Sequence, residues 1–245
     1  VNNLMKAFLL VNPNGKIIFT TASQIFTFDA GSPRLSKSNV TITGKNTILN
    51  VESYITVSEY SNYLTFENIV FQGSPNHAIV WRGEDGTIKN CTFKDNGGET
   101  AEYGAALDIE ANNLLIKDTT FSNNILDSSL AVGGGAIYFN ASGLTIINCV
   151  FDNNMANTAA HIYMLDISRD VKIDRTKFIN GKPFNNGGSG IIMHGYNMTI
   201  SNSEFENNRG SNGGALVFDT VRGKVLLESN KFTSNSATNG GAIIV

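Results

Sequence analysis

The chain has 245 residues with 18 Lys and Arg against 21 Asp and Glu, a formal net charge of -3, and 41% hydrophobic residues. A charge this small with no Lys/Arg cluster argues against nucleic acid as a partner, because phosphate binding needs a clustered basic surface. No apolar run approaches the roughly 18 residues of a membrane span.

Residues 1 to 35 carry no repeat. Leu4 to Val11 is apolar and ends at the turn-like Asn12-Pro13-Asn14-Gly15. It reads as an N-terminal cap, strand or short helix, or as an irregular first coil. Short strands are predicted at Ile17 to Phe19 and Ile25 to Phe28, then a polar loop through Gly31-Ser32-Pro33. From Val40 the strand signals close up, at Val40 to Ile42, Ile48 to Val51, Tyr54 to Val57 and Tyr63 to Phe66.

Regular repeats run from about residue 64 to 245. Phenylalanine recurs at 71, 93, 121, 151, 178, 205 and 232, so successive differences are 22, 28, 30, 27, 27 and 27 residues. Each unit holds two runs alternating with period two, which can bury only one side of a strand and so cannot stay folded alone. In one run the apolar phase is kept by Ile79/Trp81, Leu107/Ile109, Ile137/Phe139, Ile162/Met164, Ile191/Met193, Leu216/Phe218 and Ile243/Val245. In the other it is kept by pairs such as Leu114/Ile116 and Leu144/Ile146, which lead into the phenylalanine. Stacking these units at about 4.8 Å gives an all-β chain wound as a single right-handed parallel β-helix over 1-245. The hand follows from the right-handed preference of about 98% of parallel crossovers and from the absence of a six-residue period.

Small residues precede the first run, as in Gly134-Gly135-Ala136 and Gly213-Gly214-Ala215, with Tyr103-Gly104-Ala105, Thr158-Ala159-Ala160 and Gly187-Gly188-Ser189 as variants. They mark a tight corner where some backbone takes positive φ. Asn recurs three residues after phenylalanine, at 96, 124, 154, 208 and 235, and three before it, at 68, 90, 148 and 202, as expected for amide ladders. Cys91 and Cys149 share one column with Thr119 between them. Two rungs are roughly 9–10 Å, beyond the ~7 Å that a bridge allows, so free thiols are expected. His77, His161 and His194 have no metal-ligand spacing and read as satisfied or solvated side chains; no metal or cofactor is expected.

Candidate site residues lie between the inward positions. Val80, Asp108, Tyr138, Tyr163, Ile192 and Val217 form one outward column, and Arg82, Glu110, Asn140, Leu165, His194 and Asp219 the next. Tyr138 and Tyr163 on adjacent rungs suit a flat platform for a sugar ring, flanked by Asp108, Glu110 and Asn140. Two longer excursions, 97–103 and 125–133, leave the chain just before this strand, where solenoids place binding variation. Asp108 and Glu110, two residues apart on one strand face, put two carboxyls at about 6–7 Å, near the inverting-glycosidase range. An enzyme would use Asp108, Glu110 and Arg82, although Arg82 and Glu110 equally read as a cross-rung salt bridge. Asn-x-Ser/Thr triplets begin at Asn39, Asn90, Asn140 and Asn197 and weakly favour an extracellular address.

Phe121-Ser-Asn-Asn124 with Gly134-Gly-Ala-Ile137, and Phe205-Glu-Asn-Asn208 with Gly213-Gly-Ala-Leu216, resemble the repeat of chlamydial polymorphic outer membrane proteins and of adhesin-like surface proteins of methanogenic archaea. The resemblance covers roughly residues 64 to 245. It implies an exported, surface-attached, pectate-lyase-like β-helix used in adhesion, a piece of a longer surface protein, and carries over no catalytic residues. Three readings follow: a cell-surface adhesin binding extracellular glycan or the surface of another cell, a polysaccharide lyase or glycoside hydrolase, and a structural stalk.

Overall fold

The computed structural model describes residues 3–28, 32–127, 133–184 and 188–245. The apolar start is helical over Asn3–Leu10. Leu4 and Phe8, one turn apart, are buried, and the Phe8 ring lies 5.6 Å from that of Phe28 in the first coil. Among the described residues all later elements are strands, and every strand pairing is parallel, so each coil lies directly on the next.

A coil holds up to three short strands, as in Leu107–Ile109, Leu115–Lys117 and Thr120–Ser122. The first strands stack Ile79, Leu107, Ile137, Ile162, Ile191, Leu216 and Ile243 in register. The second strands stack Ile88, Ile116, Ile146, Ile173, Ile200 and Leu227. The third strands carry the phenylalanines. Their seven rings, from Phe71 to Phe232, form one column at centroid spacings of 4.8, 5.0, 4.6, 4.8, 5.0 and 4.9 Å, with adjacent planes within 19°. One-rung spacing is the strand separation itself, so identical residues in register must meet face to face.

The phenylalanine strand is set off by two left-handed corners. Three residues before the ring stand Asn68, Asn90, Asp118, Asn148, Arg175, Asn202 and Ser229, all with φ between 48° and 58°. Two residues after it stand Asp95, Asn123, Asn153, Asn180, Asn207 and Ser234, with φ between 51° and 56°. Asn and Asp tolerate this region because their short polar side chains bond locally. The second corner was not legible as a repeat of one residue type.

The third residue after phenylalanine points inward and makes the ladder. Asn96 donates to Asn124 Oδ1 and Asn124 to Asn154 Oδ1, each at 2.9 Å. Each amide also donates to the carbonyl of a phenylalanine one rung back, as Asn124 does to Phe93 at 3.1 Å. The coil of Phe178 has Gly181 in place of the asparagine, and there the ring of His161 enters the column. Cys91 and Cys149 are buried and unpaired. The hydroxyl of Thr119 accepts from the Cys91 amide, and burial pushes both thiols up to about 12.

Candidate functional site

The outward column is in register as expected: Val80, Asp108, Tyr138, Tyr163, Ile192 and Val217 lie side by side. Its exposure is not as expected. Asp108 and Tyr138 are 5% and 6% exposed, and Val80 is buried too. The reason is the first excursion, which folds back over the strand. The Tyr103 ring sits 4.7 Å from that of Tyr138 at 49°.

Tyr138 therefore faces Tyr103 on one side and Tyr163 on the other, the latter at 6.1 Å and 23°. That is wider than the rung spacing and is not a bare platform. The Tyr163 ring meets the His194 ring edge-on at 5.5 Å, so the aromatic row continues to a fourth member. Gly133, at φ 145°, lies against Tyr163, where a Cβ would come within 3.0 Å of the ring. Of the second excursion, residues 128–132 lie outside the described residues.

Two grooves flank this row. The first has a volume of about 370 Å³ and is lined by Asp108, Glu110 and Arg82 together with Tyr54, Glu102 and Tyr103. The second, about 330 Å³, lies beyond Tyr163 and is lined by Ile192, His194, Val217 and Asp219. His194 Nδ1 is 3.5 Å from Asp166, 3.7 Å from Asp219 and 3.2 Å from the Thr220 hydroxyl. Among the described residues no three His, Cys, Asp or Glu side chains converge as metal ligands would.

In the first groove Arg82 Nε donates to Glu110 Oε2 at 2.9 Å, and both side chains are about two-fifths exposed. The guanidinium is raised further by that bond. Asp108 is different. Burial, then the charge of Glu110, push its carboxyl up to about 7, while Arg82 opposes. Its Oδ1 is buried with no hydrogen-bond partner, and so is Asn140 Oδ1. His77 borders the same groove. Burial lowers its pKa against the pull of the Gly104 carbonyl 3.2 Å from Nδ1, so the ring is neutral at pH 7.

Sequence reasoning thus named Asp108, Glu110, Arg82, Tyr138, Asn140 and Tyr163 and missed Tyr54, His77, Glu102 and Tyr103. The last two lie in the excursion singled out by length. Three of the four Asn-x-Ser/Thr triplets begin at exposed corners of the coil. Asn39, Asn90 and Asn197 sit at left-handed positions, and their amides donate to Asn14, Asn68 and Asp170.

No curated protein matches this chain. Among solved structures it is similar to PfbA, a surface adhesin of Streptococcus pneumoniae, at 9% identity over 98% of this chain and 87% of that one, with a TM-score of 0.33. A second structure of the PfbA surface protein and adhesin gives 11% identity over 95% and 90%, with a TM-score of 0.26. Residues 53–184, more than half of the chain, match the right handed beta helix region family, and the chain belongs to that family.

Proposed function

We propose that this chain is an adhesin-like module of a cell surface that binds an extracellular glycan without cleaving it, on the face built from Asp108, Glu110, Tyr138, Asn140 and Tyr163. The observation that carries the reading is the row Tyr103, Tyr138, Tyr163 with an open groove at each end. Aromatic edges offer apolar contact to a sugar ring, the polar groups lining the grooves offer directed hydrogen bonds, and a stacked sheet holds both rigid. The Phe-x-x-Asn and Gly-Gly-Ala repeats agree with this reading through their resemblance to surface adhesins. Affinity at one such open face is weak and gains from repetition at a surface.

A glycan array probed with this chain and with Tyr163→Ala tests it. Signal for at least one glycan class that the variant loses supports the reading. Unchanged signal in the variant removes this face as the site.

One observation favours hydrolysis instead: Asp108, whose carboxyl burial pushes up to about 7, stands beside a second carboxyl, Glu110. Two neighbouring carboxyls are what acid–base catalysis on a glycosidic bond uses. Depolymerisation of a polysaccharide that Glu110→Gln abolishes would establish this alternative.

A further inference from the structure

The polar groups of the first groove are unevenly divided in charge. Its charged side chains are Glu102, Asp108 and Glu110 against Arg82 alone, and Arg82 is already held by Glu110. No cation is left over for an anionic ligand. Among the groove's lining residues one buried side-chain atom has no hydrogen-bond partner, Asp108 Oδ1, an acceptor in the ionised carboxyl. An orphaned buried acceptor is a standing loss that only a donor can recover. A cationic donor recovers most, because a charge-assisted bond is about twice as strong as a neutral one. Tyr54 and Tyr103, which also line it, add electron-rich ring surfaces that also favour a cation.

We propose that the groove over Asp108 takes the primary ammonium group of an aminosugar unit and turns uronate units away. The proposal rests on the glycan reading above and names the sugar class within it. Asp108 receives one ammonium hydrogen and is thereby kept ionised, Glu102 and Glu110 contribute longer-range attraction, and the sugar ring lies against the tyrosines. N-acetylation of the unit removes the charge and adds bulk, so the acetylated sugar is a poorer ligand here.

Calorimetric titration of the full chain at low salt, with tetramers of glucosamine, of N-acetylglucosamine and of galacturonate, tests this. The glucosamine tetramer should bind tightest, and Asp108→Asn should weaken it about tenfold or more, the equivalent of one charge-assisted bond. The exposed Glu102→Gln, which disturbs no core, should weaken it by a smaller factor and make binding less sensitive to salt. Equal or tighter binding of the acetylated or galacturonate tetramer, or unchanged affinity in both variants, overturns the ammonium assignment while leaving the glycan reading standing. If no tetramer binds, the assignment falls, and the array separately decides the glycan reading.

Discussion

His161 Nε2 donates to Asn208 Oδ1 at 3.0 Å across 47 residues of sequence, and the same ring accepts at Nδ1 from Asn154 Nδ2 at 3.2 Å. The imidazole replaces the asparagine that the coil of Phe178 lacks, and Gly181 is the space it occupies. A Cβ at Gly181 would stand 2.5 Å from His161 Nε2 and 2.8 Å from Asn208 Oδ1. Both ring nitrogens are used, one as acceptor and one as donor, which fits only the neutral ring. Burial holds its pKa down at about 4.

Two buried groups therefore give stability opposite dependences on pH. His161 has its folded pKa below the ordinary 6.5 of a histidine, so the unfolded chain takes up its proton first, and stability falls as pH drops from about 6.5 to 4. Asp108 has its folded pKa above the ordinary 3.8 of an aspartate, so its protonated form favours the folded state, and stability falls as pH rises from about 4 to 7. Denaturant unfolding from pH 4 to 7 should show His161→Gln losing stability as pH rises and Asp108→Asn losing it as pH falls, each relative to the native chain. His77, lowered in the same sense as His161, adds to the first of these two dependences. The two variants changing the slope in the same direction would refute the assignment.

Gly181→Ala should destabilise by about 1–3 kcal/mol, as overpacking does, although its backbone φ suits any residue. The penalty should shrink in the His161→Ala background, where the crowded ring is gone. A double-mutant cycle measures the coupling, expected within about 0.5–3 kcal/mol. Strict additivity would mean that ring and glycine do not share the space.

Phe151→Ala should cost about 3–5 kcal/mol, the usual loss for a buried aromatic. Its ring is fully buried between Phe121 at 4.6 Å and Phe178 at 4.8 Å, with His161 edge-on at 6.0 Å. A loss below about 1 kcal/mol in urea unfolding would contradict the packing.

Tyr138→Ala should also destabilise measurably, by more than Tyr163→Ala, because Tyr138 is 6% exposed beneath Tyr103 whereas Tyr163 borders an open groove. Equal thermal midpoints for the two variants would show that the excursion does not rest on this strand.

Cys91 and Cys149 should resist alkylation in the folded protein and both react in denaturant without reductant. Burial suppresses the thiolate, the reactive form. A single modified cysteine, or none, in the denatured chain would argue for a bond that the structure lacks.

The repeat was legible because it is written in the side chains. Period-two alternation with phenylalanine every 22 to 30 residues leaves a solenoid as the way to bury one face of every strand. The inward columns, the Asn ladder and the thiol column followed from counting. What counting could not reach was anything set by an excursion from the coil. Tyr103 is four residues from Leu107 in sequence, yet its place over Tyr138 depends on the path of the loop, and that path turned an outward column into a buried one. Asp108 reads as an exposed carboxylate on a strand; in the fold it is 5% exposed, and that burial, then the charge of Glu110, raises its pKa. His161 stands one residue before the inward Ile162, where other coils carry the small Ala106, Ala136 and Ala215, and only the folded chain shows that Gly181, a rung later, leaves it room. Periodic backbone hydrogen bonding fixes what repeats. The exceptions, where the candidate site is built, are decided by non-local packing.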